Sequence, residues 1–148
     1  MRITKKRTRI YKLTDNTTVG HNCHTNGLEV TGKGKVYIGD NFHSGKDILI
    51  ITENHNYMHP EKELPYDCNN ETNIQKPVTI ERNVWLGSRV IVLSGTHIEE
   101  GVVAQAGSVL HGRIPRCSVV GGNPAQVLWY RDIEHYNKIS ELMRLDNG

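Results

Sequence analysis

The 148-residue chain has few cysteines, almost no net charge and no long apolar run, and each shortage closes off a class of protein. Its three cysteines, Cys23, Cys68 and Cys117, are an odd and widely spaced set. They lack metal-site spacing and the density of a secreted disulfide framework, so free thiols in a reducing cytoplasm are expected. The formal net charge is only +2, which argues against nucleic acid as the main partner, since that calls for a strongly basic face. A basic cluster does stand at Lys5, Lys6, Arg7 and Arg9, yet no apolar segment follows it as a secretory leader requires. A solvated strand or tail is expected there. No stretch is long enough to insert across a membrane. The length suits one domain, 1–148, with a modest core.

What the chain does have is a strict period. From Ile80 to Pro115 it reads in hexads: IERNVW, LGSRVI, VLSGTH, IEEGVV, AQAGSV and LHGRIP. The first position is always aliphatic (Ile80, Leu86, Val92, Ile98, Ala104, Leu110), and the fifth is small or β-branched (Val84, Val90, Thr96, Val102, Ser108, Ile114). Neither an amphipathic helix nor an alternating strand keeps this register. A hexad that cannot bury its apolar face alone must stack on the next, which is the logic of a parallel β-helix. Three hexads close a triangular coil of about eighteen residues. Ile80 is then expected under Ile98, Leu86 under Ala104 and Val92 under Leu110, about 4.8 Å apart.

The register recurs upstream from Ile38 to His55, and Val19 to His24 looks like a further hexad one residue out of phase. Gly27, Gly32 and Gly34 fall in that gap and suit a bulge or tight turn. The expectation is four to five coils, with 1–37 irregular and 38–55 and 78–121 regular. Residues 56–77 carry Pro60, Pro65, Asn69 and Asn70 without apolar period, and are expected to leave the coil as a long loop, a feature usually functional or disordered. Beyond Pro124, Leu128, Ile133, Tyr136, Ile139 and Met143 recur at helical spacing, so a helix is expected over 128–145.

The strings PVTIERNVWLGSRVIVLSGTHI, AQAGSVLHGRIP and VVGGNPAQV resemble the hexapeptide-repeat acyltransferases. Within them the chain resembles the galactoside, maltose and polysaccharide O-acetyltransferases, and IGDNFHSGKDILIITENHNY is similar to their segment bearing the active-site histidine. These stretches cover about half of the chain. The resemblance implies an all-β, left-handed parallel β-helix, an exception to the right-handed crossover rule. It implies a homotrimer with active sites between subunits, and acetyl-coenzyme A as donor. The acceptor it implies is a sugar hydroxyl in an oligosaccharide or polysaccharide precursor.

Acyl transfer to a hydroxyl needs a base, and neutral imidazole suits the task near neutral pH. Of eight histidines, His55 stands where regular coil gives way to the loop, in Thr52-Glu-Asn-His55, the context of the resembling enzymes' catalytic histidine. His55 is therefore the expected general base, with His59 the runner-up. Glu53, facing the same way by strand alternation, is a candidate orienting partner, and Glu53 and Asn54 are further candidates for acceptor contact. Trp85, outward on its hexad, is expected to wall the acceptor sugar or the pantetheine arm. Ser88, Ala106 and Gly107 offer the small surface an extended arm requires, and the first two match coenzyme-contacting positions of the galactoside enzymes.

The sequence departs from the family where basic residues are expected. The Thr-Lys pair before Ile-Pro is His111-Gly112, and the arginine usual after Asn-Pro-Ala is Gln126. His111, Arg113 and Arg131 are the substitutes expected near the coenzyme, with Arg116 close by. N-acetylation of an amino sugar or antibiotic is the alternative within the family. A γ-type carbonic anhydrase would need three histidines on zinc, but His55 and His59 have only three residues between them, one fewer than that site requires. No metal is expected.

Overall fold

The computed structural model describes residues 11–64 and 72–146. The basic cluster at 5–9, together with Pro65, Tyr66, Asp67, Cys68, Asn69 and Asn70, lies outside them. The hexads become short parallel strands on three faces of a prism. The first face is built from Tyr11–Lys12, Leu28–Thr31, Ile48–Ile51, Ile91–Val92 and Val109–Leu110. The second comprises Thr17–Val19, Val36–Ile38, Val78–Ile80, His97–Ile98 and Arg113–Ile114. The third comprises His24–Thr25, His43–Ser44, Trp85–Leu86, Val103–Ala104 and Ser118–Gly122, closed by Ala125–Tyr130 running antiparallel. Below, the first edge joins faces one and two, the second edge faces two and three, and the third edge faces three and one.

The expected stacking is observed. Ile80 pairs with Ile98, Leu86 with Ala104 and Val92 with Leu110. All six of these side chains are fully buried. Burying an aliphatic side chain of this size contributes about 1.5–3 kcal/mol, against about 0–1 kcal/mol for an exposed ion pair. The interior ladder therefore holds the prism, not its surface charges. Polar fifth positions survive inside because their hydroxyls reach local carbonyls: Thr96 donates to Leu93 O at 2.6 Å and Ser108 to Gln105 O at 2.6 Å. Each edge turns through a left-handed backbone residue. On the second edge that residue is Asn22, Asn41 and Asn83 on the first three coils, with φ of 55°, 58° and 59°, a conformation asparagine tolerates better than most residues. On the last two coils it is Gly101 and Cys117, at φ 78° and 56°.

Four expectations need correction. The N-terminal stretch is regular from Thr17, because Val19 pairs with Ile38 and Thr25 with Ser44. The corner at Gly27 is one residue short and the next, before Val36, is two residues long, where Gly32 turns at φ 88°. Ile114 is not a fifth-position residue: it pairs with Ile98 as a first-position residue would, so the last corner is two residues short. Gly112, at φ 68°, makes that tight turn. The excursion begins before residue 56, as Glu53–Asn54 pairs antiparallel with Ile74–Gln75 to form a stem. Lastly, 128–130 are not helical. Val127, Leu128, Trp129 and Tyr130 belong to the closing strand, and the helix, α1, spans Ile133–Asp146. Asp132 caps it, its Oδ1 accepting from the His135 amide at 2.9 Å. No helix among the described residues is long and apolar enough to cross a membrane.

Candidate active site

The first edge carries His55, exposed one residue past the stem strand. What precedes it is pinned to the coils on both sides. Thr52 is buried, its Oγ1 accepting from the Gly34 amide at 3.0 Å and donating to Thr31 O at 2.8 Å. The Glu53 carboxylate accepts from the Lys33 amide at 2.9 Å and from Asn73 Nδ2 at 2.7 Å. Asn54 Nδ2 donates to Ser94 Oγ, one coil further on, at 2.7 Å. A Cβ added at Gly32 would sit 2.5 Å from Glu53 Cβ, so this glycine is required by close approach. The root of the excursion is thus tied to the coils on both sides, and the exposed His55 follows it directly. Glu53 ties the two arms of the stem to the coil below. His111 lies exposed on the same edge.

The third edge supplies the small-residue strip. A Cβ on Gly45 would meet Ser88 Oγ, and one on Gly87 would lie 2.5 Å from Ala106 N, so successive coils pack backbone to backbone here. Ser88 Oγ accepts from the Lys46 amide at 3.0 Å. Ala106 and Gly107 are exposed, and Gly107 faces open space at φ 75°. Two cations that the sequence reading missed flank the strip. Lys46 is exposed, and Arg89 has a side chain 82% exposed with Asp47 3.9 Å away. The signal was available: Lys46, Ser88 and Ala106 are third-position residues of their hexads.

Trp85 stands on the third face, 46% exposed, paired with His43 on one side and Val103 on the other. It lines a cleft of about 1000 Å³ between the second edge and α1, along with His43, Asn83, Arg131 and Tyr136. His55 does not line that cleft. Arg131 donates to Gly101 O at 3.0 Å and lies 4.8 Å over the Tyr136 ring. Arg113 pairs with Glu99 at 2.8 Å while staying 67% exposed. One chain therefore gathers His55, Glu53, Asn54 and His111 on the first edge and Ser88, Ala106 and Gly107 on the third. Trp85 and Arg131 stand apart from both groups, whereas Arg113 follows His111 by two residues, at the start of the strand that leaves the first edge.

Charge is concentrated on the second edge. Burial would push the Glu100 carboxyl up, but hydrogen bonds from Arg82 and Arg116 outweigh it and hold the group below the usual carboxylate range. Burial pushes the Tyr136 phenol up, although Asn83 donates to its oxygen at 2.8 Å. The Cys117 thiol is likewise raised by burial, against the pull of Arg116 and Arg131. Among the described residues, no three His, Cys, Asp or Glu side chains converge as metal ligands.

Residues 77–111 match the family described as the hexapeptide repeat of succinyl-transferase. A putative lipopolysaccharide biosynthesis O-acetyl transferase of Escherichia coli is 32% identical over 137 residues, covering 77% of this chain and 69% of that protein. A maltose O-acetyltransferase from Clostridium difficile superposes with a TM-score of 0.66 at 32% identity, covering 80% of this chain and 60% of the other. A galactoside acetyltransferase solved in complex with coenzyme A gives a TM-score of 0.67 at 27% identity, covering 85% and 62%. The chain thus spans less than two thirds of both solved relatives.

Proposed function

The chain belongs to the hexapeptide-repeat acetyltransferases, and from that premise we propose that it transfers acetyl from acetyl-coenzyme A to a saccharide hydroxyl, with His55 as general base. The observation that carries this reading is the pinned root of the excursion, where Glu53 and Asn54, the two residues before the exposed His55, are tied to the coils of the first edge. The relatives support the substrate class, being named for lipopolysaccharide, maltose and galactoside. In the reaction, His55 takes the acceptor proton as the hydroxyl oxygen forms a bond to the thioester carbonyl carbon. The carbon–sulfur bond then breaks, and the departing thiolate takes the proton back from the imidazolium.

His55 and the small-residue strip lie on different edges, so one chain does not complete the site. A second copy, presenting its third edge and Trp85 to the first copy's His55, completes it, and three such contacts close a homotrimer. The pantetheine arm then runs along Ser88, Ala106 and Gly107, where small side chains leave room for it. Lys46 and Arg89, with Arg113 and His111 from the neighbouring edge, supply the charge for the phosphates. Arg131 serves instead as a tether for α1, since its guanidinium is already committed to Gly101 and Tyr136. Replacing His55 by Ala is expected to lower thiol release from acetyl-coenzyme A by about 10²–10⁴-fold, with the unfolding midpoint unchanged. Turnover near that of the parent protein would remove His55 from the mechanism.

A further inference from the structure

The cleft beside α1 is more than a wall for one sugar ring. We propose that it binds a carboxylate-bearing saccharide chain, so that the acceptor is an acidic oligosaccharide rather than a neutral sugar; this rests on the acetyl-transfer reading above. Its volume of about 1000 Å³ is at the upper end for a small-ligand site, larger than a single sugar ring fills.

One wall follows the coil axis. His24, His43 and Trp85 are paired neighbours on successive coils, so flat side chains repeat at strand spacing, about 4.8 Å. His43 and Trp85 line the cleft, and His24 continues the row beyond it, its ring centroid 5.1 Å from that of His43. Such faces receive the C–H surface of pyranose rings. Beside them runs a fixed amide ladder. Asn22 donates to Asn41 at 2.8 Å, Asn41 to Asn83 at 2.8 Å, and Asn83 to the Tyr136 hydroxyl at 2.8 Å. Each side chain is held before any ligand arrives, and each amide keeps hydrogen-bonding capacity for hydroxyl groups.

Charge chooses among saccharides. Arg131 and Arg144 bring two guanidinium charges to the cleft wall, Arg131 keeping its charge while it donates to Gly101 O, and the imidazoles of His21, His43 and His135 stand beside them as hydrogen-bonding groups. Against them stands one carboxylate, Asp40, whose Oδ1 already accepts from the His21 amide at 2.7 Å. Arg82 also faces the cleft but is matched by Glu100 at 3.1 Å. A neutral glycan leaves this cationic surplus unanswered, whereas carboxylates spaced along a chain answer it. Coenzyme phosphates are the competing anions, but the small-residue strip lies on the third edge, away from this cleft.

Isothermal titration of the full chain without acetyl-coenzyme A tests the idea, using hexagalacturonate and a hyaluronan hexasaccharide against maltohexaose. At least one acidic hexasaccharide is expected to bind about tenfold more tightly than maltohexaose, the worth of one charge-assisted contact. Added salt should weaken it, and Arg144→Gln combined with His135→Gln should abolish most of the preference. Both positions are exposed on α1, and circular dichroism reports whether the variant keeps its fold. Equal affinity for acidic and neutral chains, no binding of either acidic chain, or displacement by acetyl-coenzyme A would each overturn the proposal. Since no acetyl transfer is read, an inactive protein that binds the acidic chain refutes the transfer reading alone.

Discussion

Glu100 is the residue on which the second edge turns. Its carboxylate receives Arg82 at 3.1 Å and Arg116 at 3.0 Å, and those arginines reach Ser140 and Asn137 of α1. Because the folded protein depresses this carboxyl, its contribution is present above the unfolded value of about 4.3 and fades as pH falls through the lower folded value. Glu100→Gln is expected to destabilise the protein by about 1–3 kcal/mol at pH 7 and to flatten the acid limb of a stability profile taken from pH 7 to 2. An unchanged acid limb would show that the ion pairs are incidental. At this scale the sequence was partly legible. His55 could be singled out because a histidine stands where the hexads stop. The partners of Glu53 could not, since Lys33 lies on the preceding coil across a register slip and Asn73 on the far arm of the excursion.

Among the elements, the coil strands were readable and the ends were not. Six aliphatic first positions give the coil directly, because only stacking buries them all. The closing strand misled: Leu128, Ile133 and Tyr136 fit a helical stripe, but Val127, Trp129 and Tyr130 favour a strand, and Ala125–Tyr130 pairs with Ser118–Gly122. The shortened last corner was invisible for a similar reason, since Ile114 fits either the fifth or the first position. Helix α1 buries only Tyr136; Ile139 remains 45% exposed and Met143 56%. It is therefore held by polar contacts to the second edge more than by its own apolar face. Tyr136→Phe leaves Asn83 Nδ2 without its phenol acceptor and is expected to cost about 1 kcal/mol. Amide exchange in α1 should quicken while the coil strands keep their protection. Equal acceleration in both would mean that helix and coil open together.

At the scale of the whole molecule, a single prism distributes its chemistry over separate edges. Its closing strand leaves Trp129 54% exposed, and α1 leaves Leu145 72% exposed. The hexads forecast the prism; they do not specify which edges meet in an assembly, because that depends on outward side chains which the period leaves free. The account requires His55 of one copy to work with the strip of another. Two damaged chains can test this when unfolded and refolded together: His55→Ala, lacking the base, and Ala106→Trp, with the exposed strip blocked. Each alone is expected to be nearly inactive in thiol release from acetyl-coenzyme A with a saccharide acceptor. The co-refolded mixture should recover a substantial part of the activity, because some interfaces pair an intact His55 with an intact strip. A mixture no more active than its separate parts, with mixed assemblies confirmed by mass spectrometry, would contradict a site shared between copies.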